Sequence, residues 1–402
     1  MNVLIADHLH EEQQAALKDI GCTVISEPAL KGDSLVAAIA EKRPEILVVR
    51  STKVSGDAIA AYPGLSLIVR AGAGYDTIDV DAASRRSVYV ANCPGMNSIA
   101  VAELAFALIL SLDRRIPDNT GDLRNGVWNK GEYSRADGIY GKTLGIIGFG
   151  KIGREVAKRA RAFGMKVVAW SRSLTEEDAE ESGVQRAPSA EEVARGCDVV
   201  SLHIASTPET KGLAGASFFD AMRPGSSFIN TSRAEIVDEA ALRRAVEEKG
   251  IRAGLDVFDG EPAGKEGKVD TDLFGLPGVY GTHHIGASTA QAQAAVASEV
   301  VRIVRSYLET GAVPNVVNRL EKSPANYLLS VHHRNRVGVL AGVLQIIKEN
   351  GVNVDVMENL LFQGGDGACA NIQIESALPP EAIDQIRHSS EEIYAVTVHT
   401  IA

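Results

Sequence analysis

TLGIIGFGKIGREVAKRAR, residues 143–161, decides the fold. It reads as a strand (TLGII), a glycine turn and a helix running through Arg161, with Gly148, Gly150 and Gly153 spaced as G-x-G-x-x-G. Glycines are common at turns, so the spacing alone is a weak signal. The strand before it and the helix after it supply the context that a dinucleotide-binding turn needs. Glycine allows a tight turn and close approach of a pyrophosphate, whose charge is met by the helix N-terminal amides of Lys151 and Ile152. The competing reading is an ordinary βα turn that holds nothing.

Downstream, KVVAWS (166–171), VVSLH (199–203), SSFINTS (226–232), RAGLDVF (252–258) and VYGTHHIG (279–286) continue as strands between helical patterns. Upstream, VLIAD (3–7), CTVIS (22–26), ILVVR (46–50), SLIVRAG (66–72) and VYVANC (88–93) form an earlier series of the same kind. Strands alternating with helices predict parallel sheets. Ser98–Leu112 is apolar apart from Glu103 and too short to span a bilayer, so a buried helix is expected. Gln291–Leu308 has a helical period and ends at Gly311 and Pro314, before a polar linker, VNRLEKSPAN. From Tyr327 the pattern becomes β-α-β-β-α-β, the ferredoxin-like unit. The expected class is α/β, with two Rossmann-like parallel-sheet domains and a small ferredoxin-like domain at the end.

The length, 402 residues, exceeds what one core usually organises. Apolar residues make up 45% and charged residues 23%, ordinary for a soluble protein. The 41 basic and 52 acidic residues leave a net charge of -11, which argues against nucleic acid or an anionic membrane as partner. Small anionic substrates remain open, since a few focused arginines suffice to hold them. Cys22, Cys93, Cys197 and Cys369 are scattered singly, and the first residues lack a basic signal-peptide start. A reducing cytoplasm is the expected location.

NAD enzymes usually end the second strand of this series in Asp or Glu, which binds the ribose 2′-hydroxyl. Here Ser171 stands there, followed by Arg172, which favours NADP through charge-assisted bonds to a 2′-phosphate. The alternative is that Arg172 stacks on adenine and both cofactors bind. Three further strand ends carry Arg233 (NTSRAEIVDE), Glu261 (GLDVFDGEP) and His284 (THHIGAST). Oxidising a secondary alcohol by hydride transfer needs a base for the hydroxyl proton and a cation for a substrate carboxylate. Histidine titrates near neutrality, a carboxylate beside it stabilises its charged form, and arginine presents a planar fork to a carboxylate. Neighbouring residues on a strand face opposite ways, so His283 and His284 are not expected to chelate one metal. Asp7–Glu12 (DHLHEE) reads as a polar helix start, and no metal is expected.

RAGAGYDTID, NSIAVAEL, GKTLGIIGFGKIGREVA, NTSRAEIVDE, LDVFDGEP and HIGAST occur in this order over residues 1–320. On these motifs the chain resembles the D-isomer-specific 2-hydroxyacid dehydrogenases, and within them the phosphoglycerate-oxidising branch. The resemblance implies a discontinuous substrate-binding domain (1–97 and 291–320), an inserted dinucleotide-binding domain (98–290) and a C-terminal ACT regulatory domain (325–402). It implies His284 as acid/base, Glu261 as its partner and Arg233 as substrate anchor. Asp256, Thr231, Ser232 and Gly286 would line an NAD(P) site. The substrate carboxylate would rest on the amides of Gly72, Ala73 and Gly74. Arg50, Ser51, Lys53, Arg70 and Asn97 are the other substrate candidates. His333, Asn335 and Asn353 would hold an effector such as L-serine, unless the domain serves assembly alone. A homodimer or homotetramer is expected.

The sequence departs from the family where His283 replaces a proline before the catalytic histidine, where Ala234 follows Arg233, and where Val337 replaces a proline in the tail. Hydroxypyruvate or glyoxylate reduction is the nearest alternative activity. A formate dehydrogenase would pair its histidine with glutamine, so Glu261 speaks against it. A dinucleotide-sensing regulator on the same fold is the alternative of another class.

Overall fold

The computed structural model of the protein describes residues 1–9, 11–262 and 266–401. The chain forms two compact units, Met1–Asn318 and Arg319–Ala402.

The first unit contains two sheets. One is built from β1 (Asn2–Ile5), β2 (Thr23–Ser26), β3 (Ile46–Val49), β4 (Leu67–Arg70) and β5 (Tyr89–Asn92) in the order β2-β1-β3-β4-β5. Every pair is parallel. The chain adds β2 on one side of β1 and β3 on the other, so a crevice opens beyond the ends of β1 and β3. Asp7 follows the first of these strands and Arg50 the second.

The other sheet holds β6 (Thr143–Ile147), β7 (Lys166–Trp170), β8 (Gln185–Arg186), β9 (Val199–Leu202), β10 (Ser227–Asn230), β11 (Arg252–Leu255) and β12 (Val279–Gly281). Its order is β12-β11-β10-β9-β6-β7-β8, again all parallel. The order reverses between β6 and β9, which places the glycine turn after β6 at the second crevice. Strands β3, β9 and β10 are buried along their whole length, as sheets covered on both faces require.

Helix Ser98–Arg114 leaves the first sheet and packs against helix Lys151–Ala162 and strands β10, β11 and β12. Its Glu103 points outward and pairs with Arg159 at 3.6 Å. Helix Ala290–Thr310 brings the chain back, burying Val300, Val301, Ile303 and Val304 in the core under the first sheet. Thr289 Oγ1 caps its start by accepting from Ala292 N–H, and Gly311 ends it in the left-handed region (φ 71°).

The second unit is a four-stranded antiparallel sheet of β13 (Tyr327–Arg334), β14 (Val354–Leu361), β15 (Gly367–Ile374) and β16 (Ile393–Thr400), ordered β14-β15-β13-β16. Helices Val339–Glu349 and Pro380–His388 cover one face, packing Val343, Ile347, Ala382 and Ile386 on Leu329, Val331, Ala370 and Ile372. This is the ferredoxin-like unit expected from the pattern.

Among the described residues no helix is long and apolar enough to cross a membrane, and no group of three His, Cys, Asp or Glu could hold a metal ion. His10, part of the Asp7–Glu12 string, lies outside the described residues. All four cysteines are free and buried.

Candidate active site

His284 lies three residues past the end of β12, and its backbone is in the left-handed region (φ 53°). A non-glycine residue held there costs about 1–2 kcal/mol. The buried carboxylate of Asp256, just beyond β11, meets that cost. Its Oδ1 accepts from Thr282 Oγ1 at 2.6 Å and Ile285 N–H at 2.8 Å, and its Oδ2 accepts from Gly286 N–H at 2.8 Å. The three donors flank His284 on both sides. Asp256, which the resemblance turns toward the cofactor, therefore directs most of its acceptor capacity to the histidine loop.

The reason expected for separating His283 from His284 does not apply. β12 stops at Gly281, so strand alternation has ended before either histidine, and both are exposed. What distinguishes them is Glu261, whose Oε2 lies 2.9 Å from His284 Nδ1. Phe258 N–H holds the other carboxylate oxygen at 3.0 Å. With a carboxylate as acceptor, Nδ1 carries the proton, which leaves Nε2 as the free basic nitrogen. The hydrogen bond to Glu261 raises the His284 pKa above the ordinary histidine value, against the opposing effects of burial and the Arg233 charge. Burial pulls the Glu261 carboxyl upward, but hydrogen bonds from His284 and Phe258 and nearby positive charge outweigh it and leave it below its ordinary value.

Arg233 follows β10 on a turn held by Asn230, whose side chain accepts from Ser232 N–H at 3.0 Å and donates to Arg233 O at 2.9 Å. Its Nη1 donates to Ser232 O, while Nε and Nη2 both donate to Asp76 Oδ2, at 3.2 and 3.0 Å. Asp76 belongs to the loop after β4, so this pair ties the two lobes together. A Cβ at Gly74 would overlap Arg233 Nη2, so glycine there leaves the guanidinium its place.

Arg70, at the end of β4, is a second cation in the same crevice. Burial lowers its pKa to about 10, helped by the charges of Arg233 and Arg50, so it remains a cation at neutral pH. Its Nε is buried without a partner. Among the described residues neither Arg50 nor Arg70 has a side-chain hydrogen bond or ion pair with the protein. Ser51 and Lys53 are exposed beside them. Of the three amides expected to meet a substrate carboxylate, that of Gly72 is already used: it donates to Arg70 O at 2.8 Å. The amides of Ala73 and Gly74 have no partner among the described residues. Asn97, before helix Ser98–Arg114, keeps a buried Oδ1 without a donor.

The glycine turn has the shape of a dinucleotide cradle. Gly148 has φ 97°, and a Cβ on it would overlap the carbonyl oxygen of His203. A Cβ on Gly153 would overlap Gly148 O, whereas at Gly150 it would enter open space. Helix Lys151–Ala162 starts at Gly150 with no side-chain cap, so its first amides face that space. Thr231 Oγ1 and His203 Nδ1 are buried without partners near these strand ends, and Ser232 Oγ donates to Leu202 O. Burial lowers the pKa of His203 to about 3, so its ring is neutral. Gly286 is buried beside the Asp256 carboxylate. Lys151 Nζ reaches Pro94 O at 2.9 Å, across to the segment that follows β5. This donor set and open cradle fit a nicotinamide dinucleotide.

Ser171 and the exposed Arg172 follow the end of β7 and supply no carboxylate of their own. One approaches from the other flank. Thr207 Oγ1 donates to Glu209 Oε2 at 2.7 Å, and that hydrogen bond, with a contribution from the Arg172 charge, lowers the pKa of Glu209. Glu209 and Asp76 were not singled out from the sequence, because each meets an arginine on a distant segment. Asn230 was passed over although its partners, Ser232 and Arg233, stand two and three positions on in the same turn.

In the second unit His333 is buried on the helix-covered face, its Nδ1 2.8 Å from Arg334 O and its Nε2 3.2 Å from Asn359 Oδ1. Asn335 donates to Gly365 O and Asn353 to Asp355 Oδ1, both at the surface. No hydrogen bond joins His333, Asn335 and Asn353 among the described residues.

Residues 106–304 match the family model described as the D-isomer specific 2-hydroxyacid dehydrogenase, NAD binding domain. The chain is 38% identical over 320 residues to D-3-phosphoglycerate dehydrogenase of Methanocaldococcus jannaschii, covering 79% of this chain and 59% of that one. It thus spans about three fifths of the length of this curated relative. A glyoxylate reductase from Paecilomyes thermophila superposes with TM-score 0.71 at 29% identity, over 79% of this chain and 98% of that one. An NAD+-bound 3-phosphoglycerate dehydrogenase of Entamoeba histolytica gives TM-score 0.66 at 26% identity, over 80% and 99%.

Proposed function

Because the chain belongs to the D-isomer-specific 2-hydroxyacid dehydrogenases, we propose that it oxidises D-3-phosphoglycerate to 3-phosphohydroxypyruvate, the entry reaction of L-serine biosynthesis, with NAD(P) as cofactor. One observation carries the choice of substrate: among the described residues Arg50 and Arg70 are two cations without protein partners, and Arg70 feels the charges of both Arg50 and Arg233. A substrate with a carboxylate at one end and a phosphate at the other would neutralise all three.

A bound nicotinamide dinucleotide supplies the hydride acceptor. Arg233 holds the substrate carboxylate and polarises the oxygen on C2, with the Ala73 and Gly74 amides beside it. His284 Nε2 removes the hydroxyl proton, and Glu261 stabilises the imidazolium through Nδ1–H. Asp256 keeps the ring aimed. Arg50 and Arg70, with Lys53 and Ser51 at the rim and Asn97 at the helix start, hold the phosphate end.

Ser171 and Arg172 support a preference for NADP, and Glu209 opposes a 2′-phosphate. Steady-state kinetics with both cofactors resolves this; a strong kcat/KM preference for NAD removes the NADP reading. The same loop favours a second activity, reduction of hydroxypyruvate or glyoxylate. A substrate panel of 3-phosphoglycerate, hydroxypyruvate, glyoxylate and 2-oxoglutarate tests the assignment. The highest kcat/KM is expected for the phosphorylated acid, and a higher value for glyoxylate would overturn it.

The segment 116–133 supports a homodimer or homotetramer. Its helix Ile116–Arg124 buries no residue, and Ile116, Leu123, Val127 and Trp128 are exposed. Four free, buried thiols support a reducing cytoplasm. For the tail, read as an ACT domain, L-serine is the proposed effector. The uncapped start of helix Val339–Glu349 and the exposed Asn335 and Asn353 support it, whereas His333, buried with both ring nitrogens against protein oxygens, does not. Activity should fall as L-serine rises to millimolar levels; unchanged activity would leave the domain a role in assembly alone.

A further inference from the structure

Arg50, Ser51 and Thr52 form the turn that follows β3, at the point where the first sheet reverses its strand order. Their three successive backbone N–H groups converge on a single atom, Asp7 Oδ2, at 2.6, 3.0 and 3.0 Å. Successive amides of this kind form a nest that binds anions. Here the anion is supplied by the protein, from the residue group that follows β1, the neighbouring strand across the crevice.

The turn is tied further on both sides. Thr52 Oγ1 donates to Ala6 O and Leu30 O, at 3.4 and 3.3 Å. Beyond it, Val54 N–H donates to Thr77 O at 2.8 Å and Asp79 N–H to Val54 O at 3.0 Å. That second segment carries Asp76, the partner of Arg233. Asp7 thus fixes the Arg50–Thr52 turn itself, and a separate pair of hydrogen bonds at Val54 fixes the loop that carries Asp76.

We propose that Asp7 is a positioning residue for recognition of the substrate's second anionic group, acting by filling the amide nest of the Arg50–Thr52 turn. The inference rests on the reading of Arg50 and Arg70 as a tail-binding pair, and it adds two statements to it. First, the tail is held by side chains, Arg50 and Arg70 foremost, and not by the backbone amides of this turn, because those amides already donate to Asp7. Second, the direction of the Arg50 guanidinium is set by a carboxylate that never touches the substrate. An incoming phosphate cannot take the place of Asp7 without breaking three charge-assisted bonds, so the loop discriminates by the reach of Arg50.

The test uses the full chain with Asp7→Ala and with the conservative Asp7→Asn, which keeps an acceptor oxygen in place. Two readouts are taken: peptide-level hydrogen exchange over residues 50–54, and KM and kcat for phosphohydroxypyruvate and for glyoxylate, which has no tail. Asp7→Ala should speed exchange in this segment and raise KM for phosphohydroxypyruvate by about tenfold or more, the scale expected when a binding group is misplaced by about 1 Å. KM for glyoxylate and kcat for both acids should stay within about threefold, and Asp7→Asn should restore most of the loss. Equal changes in KM for the two acids, or unchanged exchange over 50–54, would overturn the proposal. If the wild-type protein prefers 2-oxoglutarate to phosphohydroxypyruvate, the phosphoglycerate reading fails. The Asp7 proposal is then read on 2-oxoglutarate against glyoxylate, with the same split expected.

Discussion

His284 holds its ring on a left-handed backbone and shares a proton with Glu261, so its basicity is set by one neighbour more than by any other. Oxidation needs the neutral ring, which appears only as the pH rises through the His284 pKa. Glu261 raises that pKa, so the acid limb of kcat/KM for oxidation lies above the ordinary histidine range. In Glu261→Gln the raising influence is lost, and the limb should move to lower pH while the rate falls. A pH–rate profile checks this; a limb that stays in place would show that another group titrates. The residue types and order of Arg233, Glu261 and His284 were legible because their chemistry is local to each motif. Asp76 was not, since a carboxylate acquires such a role only when folding brings a particular arginine beside it. Asn230 is local to the Arg233 motif, but its part is to brace the turn through backbone groups, which residue type alone does not announce. The amide of Gly72 was assigned to substrate because sequence does not show that Arg70 O takes it first.

Strand positions were readable at the level of elements because fully buried parallel strands are continuous apolar runs. The two-residue β8 is too short to show a period, and the segment 116–133 shows no apolar face because its helix Ile116–Arg124 buries nothing. The glycine turn is where element geometry becomes most exacting. Gly148→Ala would place a side chain on a backbone at φ 97° against the His203 carbonyl, which β9 fixes. Loss of about 1–3 kcal/mol of stability is expected, together with cofactor binding weakened by about tenfold or more. A thermal melt and a fluorescence titration with NADH measure the two; unchanged affinity would place the pyrophosphate elsewhere. The histidine loop has a comparable dependence. Asp256→Asn replaces an acceptor-only group that takes three donors, so kcat should fall by about tenfold or more. Stopped-flow or steady-state rates check this, and a wild-type kcat would mean that the loop holds without it.

Across the whole molecule, the order of the motifs predicted both doubly wound sheets and the ferredoxin-like tail. What pairs across sheets was not legible, because nothing local marks Asp7 as the partner of a turn more than forty positions later. The thiols give a test of how well the fold closes. Burial pushes Cys93 and Cys197 up to about 12 and raises Cys22 and Cys369 as well, so no thiolate is available at neutral pH. A thiol-reactive dye should label none of the four in the native state and all four after unfolding. Rapid native labelling would contradict the packing described.

The central claim is that His284 moves the proton in a site whose cofactor cradle is built separately. His284→Ala, assayed with phosphohydroxypyruvate and the preferred cofactor, tests it most directly. The cofactor dissociation constant should stay within about threefold of wild type while kcat falls by about 10²–10⁴-fold. A kcat close to wild type would contradict the account and assign the proton transfer to another group.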